Sequence, residues 1–357
     1  MAPTPPRHSD FHHANIQHPA KVWVIAEIGV NHDGSVARAT ELIHAAAKAG
    51  AHAVKFQLFR PDRLLSAQAQ LAQYQKSQTS PTPPQNPRSL LAKLTLTPDD
   101  LQPLRDATQA AGMAFVVTPF SLEDVADLKS LDIDAVKIAS PDAVNLPLLE
   151  ATAQLNKPLW ISTGTCDLNE LDAAAKLVQQ TNGALFQCVS AYPTPDASAA
   201  LGGVIALKNR FPELRIGYSD HTADQDTGAL AVAAGACVLE KHLTHDPTAP
   251  GPDHAVSLDP AALGHYIAAA KRAAVRLGPL TKICQPLETD VRKVSRQSLC
   301  LTRDLPAGHR LTPADLTIKR PGTGLPAAAL TATLGRTLKR AVTRDNLLHE
   351  ADLAPQT

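Results

Sequence analysis

Eight short apolar runs, separated by alanine-rich segments, constrain this chain more than any other feature of its sequence. They are VWVIAE (22–27), AVKFQLF (53–59), AFVVTPF (114–120), AVKIAS (135–140), LWIST (159–163), ALFQCVS (184–190), RIGYSDH (215–221) and CVLEKHL (237–243). Most are apolar nearly throughout, as strands covered on both faces should be, and this favours a parallel sheet over hairpins. The segments between them include VARATELIHAAAKAG (36–50), PDDLQPLRDATQAAG (98–112) and ADQDTGALAVAAGA (223–236). These read as helices, and several close on Gly, which tolerates the left-handed cap conformation. Eight strand–helix units in about 260 residues match the count and size of a closed (β/α)8 TIM barrel. The alternative, an open doubly wound sheet, lacks its usual glycine-rich first turn, since AEIGVNHDG is not GxGxxG.

The rest of the chain divides where that rhythm breaks. Residues 1–20, rich in Pro and His with no apolar segment of signal-peptide length, read as a flexible tail on a cytoplasmic protein. The barrel is expected over 21–280. Inside it, residues 60–97 carry Gln, Ser and the proline cluster SPTPPQNP (80–87), too long for an ordinary strand–helix connection and expected to be a lid or structureless. A linker is expected at 281–296, and 297–357 follow a different grammar. There LTRDLPAGHRLTPADL (301–316) and LKRAVTRDNLLHEADL (338–353) align without gaps and share six of sixteen positions. Each reads as strand, turn and short Ala-Asp-Leu helix, so the end of the chain is expected to be a small pseudo-symmetric β-rich domain. Alone it would bury little surface and would need something to dock on.

Composition removes several function classes. A hydrophobic share of 44% is that of a globular chain, not a disordered one. Lys+Arg 34 balances Asp+Glu 34, so no nucleic-acid or anionic-membrane partner is expected. No apolar run approaches the roughly 20 residues of a membrane helix. The cysteines (Cys166, Cys188, Cys237, Cys284 and Cys300) are odd in number and form no CxxC pair, so buried thiols are expected rather than disulfides or a thiolate metal site.

Polar residues end the apolar runs: Glu27, Lys55, Thr118, Lys137 with Ser140, Ser162 with Thr163, Ser190, then Ser219-Asp220-His221 and Glu240-Lys241-His242. In a (β/α)8 barrel these ends meet at one mouth, where active sites are built. His221 and His242, on adjacent strands beside Asp220, Glu240 and Glu27, suit one divalent ion with positions left for water or substrate. Lys55 and Lys137 lie in buried runs and need an anionic partner or a depressed pKa. Few carboxylates are in view to pair with both, which points to a bound phosphate or carboxylate. Thr118, Ser140, Ser162 and Ser219 would add hydroxyl donors. A Schiff-base role competes for Lys137. PTAPGPDHAVSLDP (247–260) is expected to form a rigid loop over the mouth, from which Asp253 and His254 reach a polyol.

At these residues the chain resembles the N-acetylneuraminate (sialic acid) synthase family. The matching motifs are IAEIGVNHDGS, AVKFQ, AQYQK, TPF, KIAS, NLPLLE, STG, YPTP, GYSDHT, EKH, PGPDH and KRPGTG, in order from residue 24 onward. The resemblance implies a TIM barrel followed by a C-terminal antifreeze-like (SAF, β-clip) domain. It implies a transferase that condenses phosphoenolpyruvate with open-chain N-acetylmannosamine and water, giving N-acetylneuraminate and phosphate. It further implies that Lys55, Gln57, Thr118, Lys137, Ser140, Ser162 and Ser219 bind phosphoenolpyruvate. Ser190, Tyr192, Asp253 and Arg320 would bind the sugar, Glu27 would orient hydroxyls or move a proton, and His221 and His242 would hold manganese, with magnesium or cobalt as substitutes. Arg320 would reach into the partner's site in a domain-swapped homodimer. KIAS and SAYP also occur in relatives that make legionaminate or pseudaminate from diacetamido sugars; GVNH and PGPDH favour the neuraminate or legionaminate branches. A non-enzymatic reading, an ice- or glycan-binding tail domain on a degenerate barrel, is the remaining competitor.

Overall fold

All eight apolar runs form strands of one closed parallel barrel in a computed structural model that describes residues 22–70 and 86–355. The strands are β1 (Trp23–Gly29), β2 (Ala53–Leu58), β3 (Ala114–Pro119), β4 (Ala135–Ile138), β5 (Leu159–Ser162), β6 (Ala184–Cys188), β7 (Arg215–Asp220) and β8 (Val238–His242). They pair in sequence order, and β8 closes on β1 with Glu27 opposite His242. The tail at residues 1–20 and the motif AQYQK (72–76) lie outside the described residues. No helix among the described residues is long and apolar enough to cross a membrane.

Strand alternation sorts side chains between two cores. Val24, Ala26, Ile28, Val54, Phe56, Phe115, Val117, Ile138, Ile161 and Leu239 point outward and pack with Leu42, Ile43, Leu101, Leu104, Leu263 and Ile267 of the surrounding helices. The residues of opposite phase, Trp23, Ile25, Ala53, Val116, Ala135, Trp160, Ala184, Phe186 and Val238, fill the barrel floor. Continuing that phase toward the C-terminal strand ends replaces apolar side chains by Glu27, Lys55, Thr118, Lys137, Ser162, Ser219 and Glu240. The floor is dry and packed, and the mouth above it is polar.

Local chemistry sets the helix ends. Helix Val36–Ala49 starts where Ser35 Oγ accepts from Arg38 N–H and stops at Gly50, whose φ of 90° is left-handed. Helix Pro98–Ala110 opens on a Thr97/Asp100 capping box. The helix expected over 223–236 spans only Thr227–Ala233. Asp224 Oδ1 accepts from the backbone N–H groups of Asp226 and Thr227, at 2.5 and 3.1 Å, and this local turn competes with a helical start. Of residues 60–97, the described parts contain the short helices Pro61–Leu64 and Pro87–Ala92. They pack on the barrel's loops through Leu64, Leu91 and Leu94 against Val30, Phe59 and Phe120.

The chain divides into two compact units, the first ending at Pro279 and the second beginning at Leu280. The stretch read as a linker, 281–296, falls in the second unit and contains helix Thr289–Ser295. Beyond it, β9 (Ser298–Leu301) pairs antiparallel with β10 (Leu316–Lys319). The sixteen-residue repeat becomes a two-fold arrangement of hydrogen bonds. Leu305 and Val342, equivalent positions, exchange N–H···O bonds at 3.0 Å with each other. Thr302 N donates to Asp315 O and Lys339 N to Asp352 O. Arg303 pairs with the buried Asp315 as Arg340 does with the buried Asp352, and each Asp closes a capping box, on Thr312 and His349. Leu299, Leu301, Leu311, Leu338, Leu348 and Leu353 form the core between the halves.

Candidate active site

The mouth of the barrel is built around a buried charge cluster. Glu240 Oε1 lies 3.3 Å from both Lys55 Nζ and Lys137 Nζ, and accepts from Ser219 Oγ at 3.0 Å. Lys55 Nζ is also 3.4 Å from Glu27 Oε2, and Lys137 Nζ donates to Ser162 Oγ at 2.5 Å. All four ionisable side chains are almost wholly buried. The lysines therefore have carboxylate partners within the protein, which corrects the reading that too few carboxylates are near to pair with them. Barrel closure brings Glu240, on β8, to amines on β2 and β4, a meeting that sequence distance conceals.

These partners divide the ionisations. Burial opposes charge on Glu240, but Lys137 and Lys55 overcome it and hold the carboxyl well below its usual range. Burial likewise opposes charge on Lys55, and Glu240 and Glu27 outweigh it. Lys137 is shifted down by burial, with Lys55 adding repulsion and Glu240 opposing. Glu27, buried with only Lys55 and the Gln57 amide (Nε2 to Oε1, 2.9 Å) to favour its anion, is pushed up to about 7. It sits at a register shift in β1, where Gly29 turns to a φ of +55°. A Cβ on Gly29 would stand 2.8 Å from Glu27 Oε1, 3.2 Å from Gln57 Nε2 and 3.4 Å from Asp253 Oδ2. Glycine thus permits both the bend and the convergence of those three groups.

His221 and His242 stand side by side on the same rim, with ring centroids 5.4 Å apart. His221 Nδ1 donates to Val189 O at 2.8 Å, leaving Nε2 as the nitrogen open to a metal; burial opposes charge on this ring, but Cys188 and the Val189 oxygen outweigh it and raise its pKa. His242 Nδ1 is buried without a hydrogen bond, 3.7 Å from Asp253 Oδ2. Burial and the neighbouring imidazole keep the His242 ring neutral. Tyr192 stacks on His221 at 4.1 Å and meets His242 edge-on at 6.1 Å. The two imidazoles fit a divalent ion, which would take the place of the proton on His221 and whose remaining ligands would be water or substrate. Among the described residues no group of three or more His, Cys, Asp or Glu is placed to hold one by itself.

Further hydroxyls stand at the ends of the strands around Lys137 and its partner Ser162. Ser140 Oγ accepts from Gly164 N at 3.0 Å. Thr118 Oγ1 and Ser190 Oγ are buried with no hydrogen-bond partner. A Cβ on Gly164 would lie 2.5 Å from Ser190 Oγ and 2.8 Å from Ser140 Oγ, so glycine there keeps the space between those two hydroxyls open. Unsatisfied buried donors facing a polar mouth are what an anion's oxygens would occupy.

Not every expected residue joins this cluster. Asp220 and Lys241 are out of phase with Ser219, His221, Glu240 and His242, and form a buried pair at 3.3 Å behind the wall, with Lys241 over the Tyr266 ring. Asp220 is therefore not beside the imidazoles. His254 does not reach toward a ligand: it is fully buried between Thr244 and Asp33. Arg320 is exposed, in the C-terminal unit. The five cysteines are free thiols, but Cys284 is exposed and only Cys188 and Cys300 are buried. Cys188 Sγ lies 3.7 Å from His221 Nδ1. Sequence reasoning set Glu240 beside the imidazoles but missed its part as the counterion of both lysines, and gave no role to Gly164. Glu240 was within reach, because it is two residues before His242 and must share its face.

Comparison with known proteins gives the chain's relatives. The sequence pattern described as the NeuB family matches residues 42–282, and that of the SAF domain matches 296–354. The chain is 36% identical over 323 residues to the N,N'-diacetyllegionaminic acid synthase of Legionella pneumophila, covering 88% of this chain and 90% of that one. It is 31% identical over 306 residues to the human N-acetylneuraminate-9-phosphate synthase, covering 85% and 84%. Among solved structures, the N-acetylneuraminic acid synthetase of Leptospira borgpetersenii superposes with a TM-score of 0.68 at 30% identity, over 76% of this chain and 90% of that one.

Proposed function

Because the chain belongs to the NeuB family and ends in a SAF domain, we propose that it condenses phosphoenolpyruvate with the open-chain form of an N-acetylated amino hexose and water. The products are phosphate and a nine-carbon 2-keto-3-deoxy acid. The observation that carries this reading is the shared mouth: two buried amines around Glu240, with unpartnered buried hydroxyls and a pair of adjacent imidazoles at the same strand ends.

The chemistry requires carbon 3 of phosphoenolpyruvate to attack the sugar aldehyde while positive charge builds at carbon 2, which water then captures. Lys55 and Lys137 would hold the phosphate and carboxylate, helped by Thr118, Ser140, Ser162, Ser219 and Gln57. Glu27, pushed up to about 7 by burial, would take or give the proton that moves with the water or the aldehyde oxygen. Tyr192, Ser190 and Asp253 would hold the acceptor. His221 and His242 would hold a divalent ion, manganese first with magnesium or cobalt as substitutes, and the ion would supply Lewis-acid polarisation of the aldehyde.

Similarity to a legionaminic acid synthase at 36% and to an N-acetylneuraminate-9-phosphate synthase at 31% supports N-acetylmannosamine and a diacetamido hexose alike as the acceptor. The test is phosphate release with phosphoenolpyruvate and Mn2+ across N-acetylmannosamine and the two diacetamido hexoses. One sugar should turn over and a chelator should stop it; no phosphate from any of them refutes the reading. The lowered pKa of Lys137 favours one competitor, a Schiff-base aldolase. Borohydride trapping of a pyruvate adduct on Lys137, with turnover indifferent to chelation, would establish that instead.

The assembly we infer is a domain-swapped homodimer in which Arg320 serves the partner's site. Leu280, Ile283, Leu287, Val291 and Val294 leave an exposed apolar stripe at the start of the C-terminal unit, which a second copy would cover. Mixed Glu27→Ala and Arg320→Ala proteins should regain partial turnover; no recovery on mixing would mean that each site is built within one chain.

A further inference from the structure

Asp253 reaches the mouth from the loop that joins β8 to helix Pro260–Leu277, whose ends pair at Leu243 and Leu258. Buried side chains of a different loop hold it in place. Asn31, wholly buried after β1, donates from Nδ2 to Leu243 O at 2.9 Å and to Ser257 Oγ at 2.8 Å, so one amide ties both ends of the loop. A carbonyl oxygen can only accept, which fixes the orientation of that amide. Ser257 Oγ then donates to the backbone oxygen of Asp253 itself, at 2.5 Å. A second line of contacts runs alongside. Thr244 Oγ1 lies 2.7 Å from His254 Nδ1, and His254 Nε2 donates to Asp33 Oδ1 at 3.2 Å, while Asp33 also pairs with Arg38. With Nε2 donating to a carboxylate, the neutral ring accepts from the threonine at Nδ1.

Both lines connect the β8 loop to the segment following β1, the strand that carries Glu27. Where they converge, Asp253 Oδ2 and Glu27 Oε1 face the same bare Cα of Gly29. We propose that Asn31 and His254 are positioning residues: they clamp the β8 loop to the β1 loop and set the Asp253 carboxyl against Glu27 and His242 for the acceptor sugar. The acceptor part of this inference rests on the reaction proposed above; the clamp does not. An apolar side chain at 31 would fill the space but leave Leu243 O and Ser257 Oγ without this donor, so the amide holds the loop by direction as well as by volume.

Two variants of the full-length protein test it. Asn31→Asp keeps the shape of the side chain and exchanges its donors for an acceptor; Ser257→Ala deletes the relay to Asp253. Amide hydrogen exchange in peptides spanning 243–258 should accelerate at least tenfold in both, with β4–β6 unchanged. Steady-state kinetics with phosphoenolpyruvate, Mn2+ and the acetamido hexose that wild type turns over should give a tenfold or larger rise in acceptor KM. The phosphoenolpyruvate KM should stay within twofold and kcat within about threefold. Unchanged exchange in both variants overturns the clamp whatever the reaction. Faster exchange with both KM values moving together, or neither, overturns the positioning of Asp253. A wild type that turns over none of the sugars removes the acceptor role, and the exchange data alone then decide the clamp.

Discussion

Replacing Glu240 by Gln removes the carboxylate that lies 3.3 Å from both buried amines. At an effective dielectric of about 20, each attraction at that distance is about 5 kcal/mol. Desolvation of the carboxylate and repulsion between the amines cancel much of it, so the net loss should be about 3–5 kcal/mol, as for other buried pairs broken on one side. Lys55 keeps Glu27 Oε2 at 3.4 Å, whereas Lys137 keeps its bond to Ser162. Lys137 is therefore the amine that discharges. Its pKa is already below 10.5 in the folded protein and should drop further in the variant. Between the lowered folded value and the unfolded one, the unfolded chain binds the extra proton, so stability rises with pH by at most about 1.4 kcal/mol per unit. The assay is urea denaturation of the ligand-free variant and wild type in chelator, at pH 7 and pH 9.5. The deficit should be about 3–5 kcal/mol at pH 7 and visibly smaller at pH 9.5. A deficit below about 1 kcal/mol, or one that does not shrink with pH, would refute the shared-counterion account.

Three further outcomes are expected. Glu27 is raised from 4.5 to about 7, so the folded protein retains a proton over that window and stability falls by up to about 3 kcal/mol as pH rises through it. Ligand-free Glu27→Gln should therefore be more stable than wild type at pH 8 and equal to it near pH 4.5, while its condensation rate drops at least about 100-fold; thermal melts and phosphate release check both halves. Gly164→Ala places a methyl 2.5 Å from Ser190 Oγ and 2.8 Å from Ser140 Oγ, and should raise the phosphoenolpyruvate KM at least tenfold with little change in melting temperature. In the C-terminal unit, Asp315→Ala and Asp352→Ala each remove a cap and an arginine partner and should cost about 1–3 kcal/mol by calorimetry. Asp315 should cost more, because His309 Nε2 also meets it at 2.9 Å; equal or reversed losses would show that the histidine contact adds nothing, and a loss at only one of the two positions would contradict the two-fold description.

The barrel was legible because both faces of each strand are covered, which writes apolar runs into the sequence at β1 through β8. The small domain was legible because Arg303 and Asp315 recur as Arg340 and Asp352 at the same spacing, and their pairings recur with them. Side-chain phase was legible but went unused. In EKH the first and third residues must share a face and the second must take the other, which separates Glu240 and His242 from Lys241. What could not be read was any contact that depends on closure. Asn31 meets residues 212 and 226 positions away, and Lys55 meets Glu240 across 185. Nor does a glycine announce whether it serves a turn, as Gly50 does, or keeps open the space between two hydroxyls, as Gly164 does. Helix Thr227–Ala233 fell short of its apolar pattern because an aspartate side chain took the N–H groups that the pattern assigned to a helix.

The predictions for Glu240 and Glu27 run in opposite directions, although both are wholly buried glutamates in one cavity. The difference lies in how many amines each one meets. Glu240 is shared by two lysines and a serine hydroxyl, which hold its carboxyl well below the usual range and keep it ionised at neutral pH. A group so held cannot exchange a proton with substrate, and its part is to keep two amines charged and in place. Glu27 has one lysine at 3.4 Å and one amide, too little to offset burial, so its two protonation states are nearly equal in free energy at neutral pH. That near-equality is what a group must have to accept and return a proton during a reaction. It also destabilises the empty barrel, which is why neutralising Glu27 should strengthen the fold while neutralising Glu240 weakens it.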